Sequence, residues 1–353
     1  MGRVVTFEGP KSVGVREYED PPLGSREVRL RTLYSGISAG TELTAYRGSN
    51  PYLTKRWEPD LRLFLKGETS IEYPVEGWGY EEVGEVAEVG PGVRKVALGD
   101  VVYGTWGHRS TKVVGEDWAA GRILPPAADP IVGVFSRIGA IALNAVLDAD
   151  IHVGEVVAVF GQGVPGLIAA QLARLNGGTV IAVDGIGRRL DLARELGADH
   201  VVDFRKANAA EEAKRLTGGR GADVSIEVSG SYAALHEAIR ATAYNSKVVS
   251  AGFFQGDAAG LFLGEEFHHN RTHVVCSQIS GVNPALSHRW DLRRLEQTVM
   301  SLAAHGKLFL QPLVTHRFAV EEASEAFALL DRRPAPGDVV QAVIEFERPK
   351  EAT

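Results

Sequence analysis

The order of apolar and polar residues changes character near residue 137 of the 353-residue chain. Before that point apolar and polar residues alternate in short runs, as in EVRLRTLY, where Val28 and Leu30 alternate with Arg29 and Arg31. A period of two is typical of a strand with one buried face. The runs EVGEVAEVG and DVVYGTWG continue the pattern. We therefore predict a β-rich N-terminal region.

After residue 137 the pattern is different. Apolar runs typical of buried strands alternate with amphipathic stretches of helical period; the runs are EVVAVFG, TVIAVDG, HVVDF, ADVSIEVSG and SKVVSAGFF. Strict alternation predicts βαβ units in a doubly wound parallel sheet. THVVCSQIS follows, and we predict a further buried strand with Cys276 as a core cysteine.

Residues 48–74 form a separate kind of segment, because they mix charged residues with large apolar ones such as Tyr52, Trp57 and Phe64. The mixture predicts a cap or lid with one short helix around residues 58–66. An ordinary surface excursion is the alternative.

The run VVAVFGQGVPGLIAAQ carries the strongest chemical motif. Gly161, Gly163 and Gly166 form G-x-G-x-x-G between a predicted strand and a predicted helix opened by Val164, which is the context that this motif requires. Gly161 permits a tight turn, Gly163 lets the backbone approach a pyrophosphate, and Gly166 allows the helix to pack closely on the strand. The helix N-terminus offers free N–H groups to the phosphates, and Pro165 suits its first turn. We predict a dinucleotide site here.

The second predicted strand of this region ends at Asp184. A carboxylate there can accept hydrogen bonds from both hydroxyls of an adenosine ribose and would repel the extra phosphate of NADP. This favours NAD over NADP. Arg188 and Arg189 follow at the start of a helix, and Arg189 is a candidate contact to the dinucleotide, with a plain surface role as the alternative.

Taken together, the chain resembles the medium-chain dehydrogenase/reductase superfamily, the relatives of zinc-type alcohol dehydrogenases. The resemblance rests on the PPLGSREVRLR turn, the GYEEVGEVAEVGPGV segment, the late position of the glycine motif, and PLVTHRFAVEEASEAFALL. It implies an α/β protein: a GroES-like β-rich catalytic domain over residues 1–136, a Rossmann NAD-binding domain over residues 137–280, and a return to the catalytic domain over residues 281–353. It also implies a cleft between the two domains.

The resemblance adds expectations about the nicotinamide end of the cofactor. It implies that Pro165 lies behind the nicotinamide ring. It also implies that the residues near the carboxamide are Ser229, Gly230, Ala251 and Gly252.

The catalytic zinc is where this chain departs from the family pattern. Zinc relatives carry G-I-C-G-T-D and G-H-E; this chain has GISAGTE, so Ser38 or Ala39 faces the cysteine, and GYE, so Tyr80 replaces the histidine while Glu81 is kept. Ser136 falls at the third ligand position. Hydroxyl groups are poor zinc ligands, and one cysteine cannot form a four-cysteine zinc lobe. We expect no zinc of either kind. The metal-free signature SGISAGTE is similar to a subgroup that includes bacteriochlorophyllide-type dehydrogenases.

Without zinc, a side chain must take the hydroxyl proton as general base and return it in the reverse direction. Tyr80 is the first candidate, with a space-filling tyrosine as the alternative. Glu81 would orient Tyr80 or act as a base with a pKa raised by burial. Thr41 matches a proton-relaying hydroxyl of the zinc relatives, and Ser38 and Glu42 also lie at or beside the vacated positions. His108 titrates near neutrality and is predicted to border the cleft.

Composition and charge limit the partners. A net charge of −7 disfavours a nucleic-acid or anionic-membrane surface, and the N-terminus lacks a signal-peptide pattern. We saw no apolar stretch of membrane-spanning length and expect a cytoplasmic protein that acts on a small molecule. The resemblance implies a homodimer or homotetramer, and an exposed edge strand such as THVVCSQIS could join the subunits.

Three functions stay open from the sequence. The first is a zinc-independent, NAD(H)-dependent enzyme that interconverts a secondary alcohol and a ketone on a polar, cyclic or polyol-like molecule. The second is a zinc-free, NADPH-dependent quinone or enone reductase. The third is a non-catalytic dinucleotide-binding protein.

Overall fold

The computed structural model describes residues 1–332 and 339–346. The chain divides into two compact units, Met1–Arg137 with Val314–Thr353, and Ile138–Leu313. The first is called the β-rich unit below and the second the Rossmann unit.

Within the described residues, the β-strands in chain order are β1 (Gly2–Gly9), β2 (Ser12–Tyr18), β3 (Glu27–Gly36), β4 (Lys55–Glu58), β5 (Leu63–Lys66), β6 (Val75–Glu76), β7 (Glu82–Val89), β8 (Val101–Gly104), β9 (Thr111–Gly115), β10 (Val156–Phe160), β11 (Thr179–Asp184), β12 (His200–Asp203), β13 (Ala222–Glu227), β14 (Thr242–Ser250), β15 (His273–Cys276), β16 (Val314–Ala319) and β17 (Gln341–Glu345). The α-helices are α1 (Ala39–Arg47), α2 (Glu116–Ala120), α3 (Ser136–Ala149), α4 (Val164–Leu175), α5 (Gly187–Glu195), α6 (Ala209–Leu216), α7 (Tyr232–Ala241), α8 (Leu292–Ala304) and α9 (Ala323–Leu330).

The β-rich unit is built from a mixed sheet in the order β16-β17-β3-β7-β8, with β9 also paired to β3, and a smaller sheet in the order β2-β1-β6. Its core joins both ends of the chain, because Phe7 packs edge-on against Phe327 with 5.0 Å between ring centroids, and Tyr46 stacks on Phe327 at 5.8 Å. Burial of these rings fixes the C-terminal segment against the N-terminal strands.

The Rossmann unit holds one parallel sheet in the order β12-β11-β10-β13-β14-β15. All but one residue of each central strand, β10 and β13, is buried, as the continuous apolar runs in the sequence predict. The strand order reverses between β10 and β13, and at such a point the loops that leave the carboxyl ends of the strands turn to opposite sides and open a crevice for ligands. The predicted α/β class with a doubly wound sheet is confirmed.

Three predictions about the elements were wrong. Residues 58–66 do not form a helix: β4 and β5 make a hairpin in which Trp57 pairs with Phe64, with 5.0 Å between the ring centroids, and such aromatic cross-strand pairs stabilise strands. Cys276 is exposed, because it lies on β15 at the edge of the sheet. For Cys276 to be buried, as predicted, another structural element would have to cover this edge strand.

The third correction concerns the domain boundary, which falls at residue 314 rather than at residue 281. Helix α8 stays in the Rossmann unit because its apolar face is buried there, including Leu295 and Val299. Gly139 on α3 makes room for this helix, since a Cβ at that position would lie 2.5 Å from a methyl carbon of Val299.

The stretch Pro130–Ala149 is long and apolar enough to cross a membrane, contrary to the expectation that no such stretch exists. However, 78% of it is buried inside the protein, as in a core helix.

Candidate active site

Strand register brings together the two sequence stretches that align with zinc-ligand positions. Strands β3 and β7 pair with Ser35 opposite Glu82, and the N–H of Gly36 donates to the carbonyl of Glu81 at 2.7 Å. The chain then turns from β3 into α1, and Ser38 is the N-cap residue of that helix. The stretches 36–42 and 79–81 therefore lie side by side in the β-rich unit.

Three hydroxyl groups meet at this point. The Tyr80 and Ser38 hydroxyls are hydrogen-bonded to each other, and Thr41 Oγ1 lies 3.3 Å from the Tyr80 hydroxyl. The Ser38 side chain does not cap α1, which leaves it for Tyr80. The structure thus brings together three of the five predicted catalytic residues, and we call Tyr80, Ser38 and Thr41 the hydroxyl cluster.

Glu81 lies next to the hydroxyl cluster and is fully buried. Its Oε2 accepts a hydrogen bond from Gln341 Nε2 at 3.2 Å, while its Oε1 is buried and has no hydrogen-bond partner. Burial, followed by the nearby Glu42 and Glu82 carboxylates, raises the pKa of Glu81 well above its usual range, and the Ser38 hydroxyl partly offsets this. Burial thus favours the protonated form of Glu81, and its Oε1 is the oxygen left without a hydrogen-bond partner.

Tyr80 is protonated in the same environment. Burial raises the pKa of its phenol, and the neighbouring Glu81 raises it further. A neutral phenol donates a hydrogen bond to an oxygen atom, such as that of a carbonyl or alkoxide.

Behind the cluster lies a second group of buried polar residues. Glu42 Oε1 accepts from the Ser38 N–H at 2.8 Å, and Glu42 Oε2 lies 2.5 Å from His108 Nε2. On its other side, His108 Nδ1 lies 2.6 Å from Ser35 Oγ, which donates to Glu82 at 3.1 Å. With the Ser35 hydroxyl donating to Glu82, this arrangement favours a His108 that donates from both ring nitrogens, as an imidazolium does.

The prediction that His108 borders a ligand-accessible surface was wrong. His108 is fully buried between two carboxylates. Burial lowers its pKa, but Glu42 and Glu82 raise it by more, so the net shift is upward. His108 supports Ser38 through Glu42 rather than touching a substrate.

A catalytic zinc, the metal implied by the family resemblance, does not fit these side chains. The three ligand positions hold Ser38 or Ala39, Tyr80 and Ser136, whereas zinc takes thiolate, imidazole or carboxylate ligands. Ser38 and Tyr80 are also engaged with each other, and the Ser136 hydroxyl is buried without a hydrogen-bond partner.

In the part of the chain that the structure describes, one group of three candidate metal ligands lies within 4.8 Å, and it is in the Rossmann unit: His236, Glu265 and Glu266. Glu266 is already paired with Arg240 at 3.2 Å. This group does not correspond to any of the zinc positions in the sequence.

The glycine motif has the geometry that a dinucleotide loop needs. Gly161 follows β10 with φ +92°, and a Cβ there would lie 2.8 Å from Ser229 Cβ. A Cβ on Gly166 would collide with the Gly161 carbonyl, whereas one on Gly163 would meet nothing closer than 4.0 Å. The loop is thus tightly packed at Gly161 and Gly166, where helix and strand meet. It has free space at Gly163, where a pyrophosphate would approach.

The remaining predicted cofactor residues lie along the same carboxyl edge. Val164 and Pro165 open α4 with no side-chain cap over its first N–H groups, and Gly230 follows β13 with φ +71°. Arg189 lies beside the loop, with its Nη1 4.0 Å from a Cβ built on Gly163. Ser229, Ala251 and Gly252 lie in the turns that follow β13 and β14.

Asp184 ends β11 and accepts hydrogen bonds on both oxygens, from the Gln162 N–H at 2.6 Å and the Ile186 N–H at 2.8 Å. Each carboxylate oxygen keeps a further lone pair for a ribose hydroxyl. Asp184 therefore also shapes the glycine loop, which the spacing rule does not indicate.

Two buried residues at these sites, Glu227 and Gln341, were not among the sequence candidates. Glu227 directly follows the uncharged run Val224–Ile226 within a strand, and a charged residue there is a usable signal. Gln341 lies 260 positions from Glu81, and no local pattern points to it.

A glycine-motif parallel sheet, joined in one chain to a β-rich unit with an acid/base cluster, defines the two-unit α/β class of oxidoreductases. The family Zinc-binding dehydrogenase matches residues 165–292. The chain is 31% identical over 333 residues to the D-guloside 3-dehydrogenase of Escherichia coli (strain K12), covering 92% of this chain and 95% of that protein. It is 26% identical over 356 residues to a sorbitol dehydrogenase of Halalkalibacterium halodurans, covering 92% and 94%.

Among solved structures, the 2R,3R-butanediol dehydrogenase of Bacillus subtilis has the same fold, with a TM-score of 0.78 at 24% identity over 98% of this chain and 100% of that one. The chain belongs to the medium-chain dehydrogenase/reductase superfamily, and it is an oxidoreductase. Its closeness to bacteriochlorophyllide-type dehydrogenases within that superfamily stays a prediction.

Proposed function

We propose that this protein is a zinc-independent, NAD(H)-dependent dehydrogenase that interconverts a secondary alcohol and a ketone on a polar, cyclic or polyol-like molecule. The observation that carries the proposal is the hydroxyl cluster with the buried Glu81 beside it, at positions that align with the metal ligands of zinc relatives. D-guloside and sorbitol, in the names of two relatives, are polyhydroxylated compounds, one of them cyclic, which supports the substrate class.

The chemistry requires two transfers. The alcohol carbon loses a hydride and the alcohol oxygen loses a proton, which leaves a ketone. When bound, NAD⁺ accepts the hydride. The protein must take the proton, and in the reverse direction it must supply one to the carbonyl oxygen.

The residues of the cluster can move that proton in a defined order. During reduction, Tyr80 gives its proton to the carbonyl oxygen and takes one from Ser38, which in turn takes the proton held by Glu81. During oxidation, the same steps run backward, and they require that Glu81 has first released its proton. The high pKa of Tyr80 prevents a lasting phenolate, so Tyr80 acts as a relay and Glu81 as the proton store.

The preference for NAD rests on Asp184, whose carboxylate at the end of β11 favours ribose hydroxyls and disfavours a 2′-phosphate. The opposing feature is a group of arginines nearby. Arg188 has a 57% exposed side chain, and Arg205 raises the positive potential near Asp184 although it is paired with Asp203. If the arginines prevailed, NADPH would be the preferred cofactor.

The test is turnover of purified protein with NAD⁺ and separately with NADP⁺, followed by the absorbance of the reduced cofactor. Substrates would include alkyl glycosides, linear polyols and simple apolar secondary alcohols. We expect turnover with NAD⁺ on polyhydroxylated substrates. Turnover only with NADP⁺ would contradict the cofactor assignment, and turnover only on apolar alcohols or on enones would contradict the substrate class.

A further inference from the structure

Glu227 is a buried carboxylate at the point where the Rossmann sheet reverses its strand order. It is the last residue of β13, and its backbone pairs with Phe160 on β10 and Ser250 on β14. Its side chain has no exposed surface. Its carbonyl accepts the N–H groups of Ala251 and Gly252, at 2.8 Å and 3.1 Å.

The Glu227 carboxylate holds the turn that follows β13. Oε1 accepts from the Ser229 N–H at 2.8 Å and from the Ser229 hydroxyl, and Oε2 accepts from the Gly230 N–H at 3.2 Å. This turn lies against the glycine motif, because a Cβ on Gly161 would lie 2.8 Å from Ser229 Cβ. It also lies against the turn after β14, because a Cβ on Gly252 would lie 2.7 Å from Glu227 Oε2. One carboxylate therefore sets the spacing of three loops.

The charge of this carboxylate is not balanced by a cation. In residues 1–332 and 339–346, no lysine, arginine or histidine lies within ion-pair distance of Glu227, whereas Asp203 pairs with Arg205 and Asp199 with Arg174. Burial raises the pKa of Glu227 to about 7, and the hydrogen bonds from Ser229 oppose the shift.

The surroundings of Glu227 contain few other groups that titrate. Strands β10 and β14 present Phe160 and Ser250 beside it. On α7, which packs on β13, the ionisable residues are engaged elsewhere: Tyr232 with the Gly256 carbonyl, His236 with Phe262, and Glu237 with Arg240. At the same carboxyl edge, Asp184 is held by Gln162 and Ile186.

We propose that Glu227 is a positioning residue for the dinucleotide: its ionised carboxylate holds the Ser229–Gly230 turn against the glycine motif, and its protonation loosens the turn and weakens dinucleotide binding. The physical reason is the number of hydrogen bonds that the Glu227 carboxylate can accept. The ionised carboxylate accepts three hydrogen bonds here. The protonated group turns one oxygen into a donor, which leaves a part-buried N–H of the turn poorly paired. This inference rests on the proposed function, because it requires that the Rossmann unit bind NADH.

The experiment is NADH binding to the full chain, measured by the fluorescence of bound NADH, from pH 6 to pH 8.5. For the unaltered protein we expect the Kd to rise about fivefold to tenfold between pH 8 and pH 6, as linkage to a single proton allows. Glu227→Gln is neutral at every pH and its amide NH₂ cannot accept from Gly230. Its Kd should be raised at pH 8 and should not change with pH.

Two controls accompany the test. Glu227→Asp keeps a titrating carboxylate and should keep a pH dependence. Glu211→Gln, at an exposed position on α6 of the same unit, should behave as the unaltered protein does. Melting curves at pH 8 would show that each variant is folded.

The outcomes separate the inference from the proposed function. A Kd that is flat with pH in the unaltered protein, or an unchanged pH dependence in Glu227→Gln, overturns the role of Glu227 while dinucleotide binding stands. Absence of NADH and NADPH binding at every pH overturns the proposed function, and this inference with it.

Discussion

Glu42 and His108 form an ion pair that is fully buried in the β-rich unit, with 2.5 Å between Glu42 Oε2 and His108 Nε2. The other oxygen of Glu42 holds the N–H of Ser38, so the pair connects a loop histidine to the start of α1. It thereby holds the Ser38 backbone where the Ser38 hydroxyl meets Tyr80. The pair supports the hydroxyl cluster from behind.

Replacing His108 tests this support. His108→Gln removes the imidazolium and leaves Glu42 and Glu82 buried without a cation, so the free energy of unfolding should fall by about 3–5 kcal/mol. Because the pKa of His108 is raised in the folded protein, its contribution is full below the unfolded value of about 6.5 and is lost as the pH rises through the folded value. Urea unfolding at several pH values measures this. The exposed His288→Gln is the control, and an equal loss at high and low pH would argue against an imidazolium.

Removing the Tyr80 hydroxyl should affect chemistry more than binding. Tyr80→Phe breaks the relay at its first atom, so kcat should fall by about 10²- to 10⁴-fold, while the Kd for NADH should hardly change. Steady-state kinetics and NADH binding measure the two effects. Tyr244→Phe, at a position that is 64% exposed, is the matched control. A kcat within about twofold of the unaltered value would remove Tyr80 from the mechanism.

Glu81 should couple stability to pH. Because its pKa is raised, the folded protein keeps a proton that the unfolded chain releases above about pH 4.3. The contribution of Glu81 to the free energy of unfolding is therefore most favourable below that pH. It should then fall by about 1.4 kcal/mol per pH unit until the folded pKa is reached. Glu81→Gln stays neutral and should gain stability relative to the unaltered protein from pH 5.5 to pH 8, while losing activity. Thermal melting across this range checks the prediction, and a constant difference would show that Glu81 is ionised in the fold.

Asp184 should decide between the two nicotinamide cofactors. Asp184→Asn loses the negative charge that binds ribose hydroxyls and repels a 2′-phosphate, so NADH should bind about tenfold more weakly and NADPH more tightly. Titration with both cofactors measures the shift. Asp191→Asn, on α5 of the same unit, serves as control. If NADPH binds the unaltered protein better than NADH does, the arginines around Asp184 dominate instead.

Metal removal should leave the enzyme active. Because the zinc positions hold hydroxyl groups, elemental mass spectrometry should find near-zero zinc per chain, and dialysis against EDTA should change kcat by less than about twofold. Stoichiometric zinc together with loss of activity on dialysis would mean that other residues hold a catalytic metal.

Much of the fold follows from local patterns. The alternation of apolar strands and helical stretches predicts the parallel sheet, and G-x-G-x-x-G locates its phosphate-binding turn, because strand period, helix period and turn chemistry depend on residues close in sequence. Tyr80, Ser38 and Thr41 could be chosen as candidates because they align with family motifs. The hairpin at β4 and β5 was missed because a short mixed segment fits either period.

What only the tertiary structure decided is which polar groups are buried and what they touch. The register of β3 against β7 places Gly36 beside Glu81. Strand β17 places Gln341, which is 260 residues away in sequence, within hydrogen-bond distance of Glu81. Packing encloses His108 between two carboxylates and leaves Cys276 exposed at a sheet edge. The pKa values that give Glu81 and Glu227 their proposed roles arise from this burial. Burial depends on long-range contacts, so the sequence supplied the chemical groups and the fold determined their protonation.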